Sequence, residues 1–137
     1  TENASQLVEA RKNIGERYNE FLQGTKGLVL PVEKENCKNV YWMYGVVLTK
    51  VVKKSREKIL SDLKEKGVDT RTFFIPMHKQ PVFTERKVEN APDCTGSFPI
   101  SDALGRRGFY LPSSSNLTEE KIRSVADTLK EIVHQAL

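Results

Sequence analysis

A chain of 137 residues with a formal net charge of +4 has the length of one domain. At 38% hydrophobic and 29% charged residues, it can bury a core without disulfides or metals. No apolar run approaches the ~20 residues of a membrane span, and the N-terminal TENASQLVEARKN is no signal peptide.

The first predicted element is a helix. Leu7, Ala10, Ile14, Tyr18, Phe21 and Leu22 recur at steps of three and four and form one apolar stripe. Gly24 and Gly27 are its stop signals. VYWMYGVVL at 40–48 reads as a strand from its β-branched and aromatic content. Alternation puts Val40, Trp42, Tyr44, Val46 and Leu48 on one face. It puts Tyr41, Met43 and Val47, with Gly45, on the other. Neither face is polar, so both need covering.

The basic run KVVKKSREK at 50–58 has no interleaved aromatics or glycines, and reads as a solvated helix entry rather than a nucleic-acid patch. Ser55 caps a helix carrying Ile59, Leu60 and Leu63, and Gly67 ends it. TRTFFI at 70–75 is a second strand, stopped by Pro76 because proline cannot donate to a ladder. Residues 79–97 read as a long loop with room for one short turn. FPISDALGRRG gives a short helix from near Pro99 to Gly105 or Gly108, and FYLP gives a short strand. Thr118 caps the last helix, with Glu119 and Glu120 in its first turn and Ile122, Val125, Ala126 and Leu129 among its apolar positions. This order predicts a small α+β domain, a sheet of three to four strands with flanking helices.

Most local motifs carry no chemistry. SREK and SDLK match an SxxK spacing but lie on one charged helix without a partner motif. The sequons NAS and NLT read as chance matches, and GTKG is too short for a phosphate loop. Cys37 and Cys94 are isolated, as expected of free thiols in a reducing cytoplasm. His78 and His134 lack metal-ligand spacing, so no metal site is expected, and His134 falls on a regular amphipathic helix as a surface or boundary residue.

The stretch DTRTFFIPMHKQPVF at 69–83 stands apart. His78 follows a strand and is fixed between Pro76 and Pro81, either as a site residue or as a loop histidine making one structural hydrogen bond. Arg71 shares a strand face with Phe73 and Ile75, so it calls for an anionic partner in the protein or in a ligand. Tyr41, Trp42, Tyr44, Phe73, Phe74 and Phe83 gather around the two strands. A sheet this small covers one face well, which leaves a large apolar patch on the other.

Four segments share an order and spacing that resemble the C-terminal small domain of the DegT-type nucleotide-sugar aminotransferases. They are ARKNIGERYNEFL, NVYWMYGVVL, REKILSDLKEKGVDTRTFFIPMH and SFPISDALGRRGFYLPSSSNLTEEKI. The family consists of pyridoxal-phosphate (PLP) enzymes of the aspartate-aminotransferase fold. YWMY with DTRTFFIPMH is most similar to the perosamine-synthase branch, which aminates a GDP-linked 4-keto-6-deoxy sugar.

The resemblance implies one domain over 1–137, in which 1–25 is a connector helix to a large PLP-binding domain and 26–137 is the small domain. It implies PLP in the complete enzyme, glutamate as amino donor, a nucleotide-sugar substrate, a homodimer and a cytoplasmic setting. The PLP lysine belongs to the large domain, so no catalytic or cofactor-binding residue is expected in this chain, which alone should bind no PLP and be inactive. Matched to the family pattern, Phe73, Phe74 and His78 become candidates for contact with the sugar or cofactor region. Arg71 becomes a candidate for an anionic group, and Tyr41, Trp42 and Tyr44 serve as packing or cleft lining. Thr72, where proline is common, and ISDAL, where Ala-Glu is usual, depart from the pattern. The alternative is a free-standing, non-catalytic α+β module for ligand binding or protein interaction.

Overall fold

The computed structural model describes residues 2–85 and 90–137. In chain order it contains α1 (Ala4–Leu22), β1 (Leu28–Val29), β2 (Tyr44–Leu48), α2 (Arg56–Glu65) and β3 (Arg71–Thr72). A 3-10 turn (Met77–Lys79), α3 (Pro81–Thr84), α4 (Pro99–Arg107), β4 (Gly108–Leu111) and α5 (Glu119–His134) follow. The four strands form one antiparallel sheet in the order β1-β2-β4-β3.

Local chemistry sets the helix ends as the sequence predicts. Ser55 Oγ accepts from the Lys58 amide at 3.2 Å, and Thr118 Oγ1 accepts from the Lys121 amide at 3.4 Å. Gly67 sits at φ +80°, where a side chain would be strained. The apolar stripes of α1, α2 and α5 then cover the inner face of the sheet, where Tyr44 pairs with Leu111 and Val46 with Phe109. Tyr18, Leu22, Ile59, Leu63, Leu129 and Val133 complete that core with no exposed surface. Each such aliphatic side chain contributes about 1.5–3 kcal/mol on burial.

The strand predicted over 40–48 is shortened to Tyr44–Leu48. Tyr41 adopts φ +43°, and its amide is held by Asn39 Oδ1 at 2.9 Å. This turn swings the Tyr41 ring inward onto Gly15 of α1, where any Cβ would overlap it, so Tyr41 joins the inner core instead of the outer face. Val40 and Trp42 consequently leave the sheet and are exposed, Trp42 by 68%.

The strand predicted over 70–75 is also shorter. Arg71 and Thr72 pair with Tyr110 and Phe109, and the Phe73 amide donates to the Gly108 carbonyl at 3.1 Å. Beyond Phe73 the neighbouring chain is already α4, so no ladder remains to pair with. The two-residue β1 lies in a stretch without strand patterning. Of the loop predicted over 79–97, Lys79 belongs to the 3-10 turn and 81–84 form α3, while residues 86–89 lie outside the described residues.

The outer face of the sheet is not the open apolar surface that the composition suggested. Gly45 and Gly108 form a flat floor, and the Phe73 ring lies on both. The same ring packs against Tyr110 at 4.6 Å between centroids. The exposed apolar surface is displaced to the strand end and α4, where Phe74, Ile75, Met77 and Ile100 face solvent.

Candidate functional site

Pro76 ends the extended segment and packs against α4 at Gly105, where a Cβ would come within 2.9 Å of its ring. The chain then closes a 3-10 turn, with the Lys79 amide on the Pro76 carbonyl at 2.9 Å and the Gln80 amide on the Met77 carbonyl at 3.0 Å. Gln80 Nε2 donates back to the Ile75 carbonyl at 2.9 Å. This turn presents His78 to the first helical residues of α4.

There the His78 ring stacks on Phe98 with centroids 4.4 Å apart and planes 24° from parallel. His78 Nε2 lies 3.0 Å from Asp102 Oδ1, and Lys79 Nζ lies 2.6 Å from the same oxygen. The side chains are 12%, 24% and 48% exposed for His78, Asp102 and Lys79. The hydrogen bond from the Lys79 ammonium holds the Asp102 carboxyl below the usual carboxylate range; burial opposes it, and the His78 hydrogen bond adds a smaller push in the same direction as Lys79. Ionised, Asp102 can only accept, so Nε2–H is the donor. Met77, in the same 3-10 turn, and Phe74, at the strand end next to Tyr110, are each 67% exposed.

The remaining predicted residues divide into three places. Arg71 lies on the outer face beside Tyr110, in a shallow cleft of about 450 Å³ that Arg11 and Met43 also line. It forms no ion pair among the described residues, so of the two anionic partners considered for it, in the protein or in a ligand, none of the first kind is found there. Trp42 is exposed, and its carbonyl accepts from Arg11 at 2.8 Å. Tyr44 and Tyr41 belong to the interior. Tyr44 is wholly buried between Tyr18 and Tyr41, and its hydroxyl donates to Asn19 Oδ1 at 2.7 Å. Burial raises its pKa, as it does that of Tyr18. The structure therefore joins Phe73, Phe74 and His78 along one segment, sets Arg71 on the neighbouring sheet face, and seats Tyr41 and Tyr44 in the core. The residue that sequence reasoning overlooks is Asp102. Its signal is an acid in the first turn of a proline-started helix, ISD, opposite a histidine in a proline-bounded turn.

A PLP Schiff base needs a lysine in a desolvated setting. No described lysine is buried, and Lys12, Lys54, Lys58, Lys66, Lys79 and Lys130 are paired with carboxylates. Among the described residues no group of three or more His, Cys, Asp or Glu could hold a metal ion, and no helix is long and apolar enough to cross a membrane.

Solved structures share this architecture over almost the whole chain. The aminotransferase PseC of Helicobacter pylori superposes with a TM-score of 0.84 over 98% of this chain and 34% of its own, at 13% identity. DesV of S. venezuelae superposes with a TM-score of 0.80 over 96% of this chain and 33% of its own, at 24% identity. The fold is that of the C-terminal domain of PLP-dependent aminotransferases. The model of the DegT/DnrJ/EryC1/StrS aminotransferase family matches residues 2–130, and the chain belongs to that family.

Among curated proteins it is similar to the GDP-perosamine synthase of Vibrio cholerae, at 25% identity over 131 residues covering 94% of this chain and 33% of the relative. The GDP-perosamine synthase of Caulobacter vibrioides is 30% identical over 96 residues, 70% of this chain and 24% of the relative. The chain thus spans about a third of the length of the Vibrio relative.

Proposed function

We propose that this chain is the small domain of a cytoplasmic, homodimeric PLP-dependent aminotransferase that aminates a nucleotide-linked keto-deoxy sugar for cell-surface polysaccharide. On this reading 73–78 forms one wall of the substrate cleft. Phe73, Phe74 and His78 contact the sugar or cofactor region, Arg71 offers charge to an anionic group, and Trp42 flanks them. Residues 1–25 connect to a large domain that supplies the Schiff-base lysine, and glutamate is the amino donor. PLP, bound there, acts as the electron sink of the transamination.

The observation that carries the reading is that one short segment, 74–78, carries both exposed apolar side chains, Phe74 and Met77, and a histidine fixed by Asp102. Apolar surface with a few fixed polar groups is the usual lining of a ligand cleft. The likeness to GDP-perosamine synthases supports the substrate class, and the described lysines, all at least partly solvated, support a Schiff-base lysine from outside this chain.

Two measurements test it. The 137-residue chain mixed with PLP should give no aldimine absorbance, whereas a Schiff base reducible onto one lysine refutes the division of labour. In the complete polypeptide, His78→Ala should lower kcat/KM on the nucleotide sugar by about tenfold or more, the worth of one lost ligand hydrogen bond. Its melting temperature should stay within a few degrees, because Lys79 still neutralises Asp102. Unchanged kinetics would remove His78 from the cleft.

A further inference from the structure

An imidazole can meet a ligand through either nitrogen, and a turn alone does not choose between them. Around His78 two contacts remove that freedom. Stacking on Phe98 fixes the plane of the ring. The 3.0 Å bond to Asp102 fixes its rotation within that plane. The carboxylate takes the Nε2 hydrogen, so Nδ1 makes no hydrogen bond among the described residues.

Asp102 is itself held in place. Its amide closes the first turn of α4 on the Phe98 carbonyl at 2.9 Å, so the residue that stacks on the ring and the residue that bonds it belong to the same turn. Lys79, adjacent to His78 in sequence, pairs with the same carboxylate oxygen and keeps it charged. The bland alternative is a surface ion pair between Lys79 and Asp102 that merely ties the turn to the helix. Against it, His78 is far better buried than Lys79 and is also confined by Phe98, the residue that caps α4.

We propose that Asp102 is a positioning residue that holds His78 with Nε2–H inward, so that Nδ1 is the nitrogen offered to the bound sugar or its amine product. This rests on the reading that His78 faces the ligand. A neutral ring so held is a hydrogen-bond acceptor at Nδ1, suited to a ligand hydroxyl or amine donor. Asn at 102 keeps the shape but can present either an amide N–H or a carbonyl, and so no longer dictates which nitrogen carries the hydrogen.

The test is a double-mutant cycle in the complete polypeptide, with kcat/KM on a nucleotide-linked 4-keto sugar and the melting temperature read for each variant. Asp102→Asn should lower kcat/KM about tenfold with His78 present and by less than about twofold in the His78→Ala background. Asp102→Glu, which keeps the carboxylate, should recover part of the loss. Equal losses from Asp102→Asn in both backgrounds would overturn the positioning role and leave the cleft reading standing. Wild-type turnover by His78→Ala would overturn the cleft reading, and the positioning role with it. If Asp102→Asn melts far below the wild type, the partial recovery by Asp102→Glu decides, and its absence in a folded variant counts against the proposal.

Discussion

Replacing Gly108 with alanine should destabilise the domain through one aromatic ring. Gly108 has φ −89° and ψ 144°, ordinary extended backbone that alanine adopts without strain. The obstacle is steric. A Cβ at 108 would overlap three atoms of the Phe73 ring, which also rests on Gly45 and packs against Tyr110. The ring cannot settle further towards β2, since a Cβ built on Gly45 already comes within 2.9 Å of it. Forcing one extra methyl into such a contact costs about 1–3 kcal/mol. For a domain of this length that is roughly 3–10 °C in melting temperature.

Calorimetry on the 137-residue chain measures the loss, and repeating it in a Phe73→Ala background isolates the cause. With the ring gone, the methyl has space, and alanine in a strand is favoured over glycine by about 0.5–1 kcal/mol. Gly108→Ala should then be neutral or mildly stabilising. The same loss in both backgrounds, or no loss in either, would refute the account of the outer face.

Tyr44→Phe removes the hydroxyl that satisfies Asn19 Oδ1 inside the core. It should cost about 1–3 kcal/mol, seen as a lower urea midpoint at unchanged slope. An unchanged midpoint would mean that this bond contributes nothing. The Asp102 carboxyl has a folded pKa below its unfolded value of about 3.9. Its stabilisation is therefore fully present above that value and lost as pH falls through the lower folded one. The stability difference between wild type and Asp102→Asn should persist at pH 5 and close below about pH 4, and a difference that survives into strong acid would contradict the ionic origin.

The helices were legible because their signals are local. The caps Ser55 and Thr118, the turn at Gly67 and the stripes of α1 and α5 depend on residues a turn apart. The strands were less so, because pairing is decided by a distant neighbour. Nothing between 40 and 43 says that Tyr41 will leave the pleat, since its inward turn depends on the gap at Gly15 some 26 residues earlier. β3 stops at Thr72 because β4 has a helix before it, a fact about residues 99–107. Gly45 and Gly108 resolve the apparent surplus of apolar surface, but only once Phe73 is seen lying on both. At the candidate site, His78 stood out through its two flanking prolines. Asp102, 24 positions further on, could be paired with it only when α4 was docked.

The contacts of Phe73 on Gly108, Pro76 on Gly105 and His78 on Asp102 run outward from the sheet like the teeth of a zip fastener, each joining the same two segments one step further from the core. Beyond the last tooth the sequence runs from Gln80 to Phe98 before α4 begins. Lengthening that excursion costs only the entropy of a larger loop, about 0.6 kcal/mol for each doubling. Insertions between Gln80 and Phe98 can therefore be accommodated at little expense to folding, with the contacts of Phe73, Pro76 and His78 left in place.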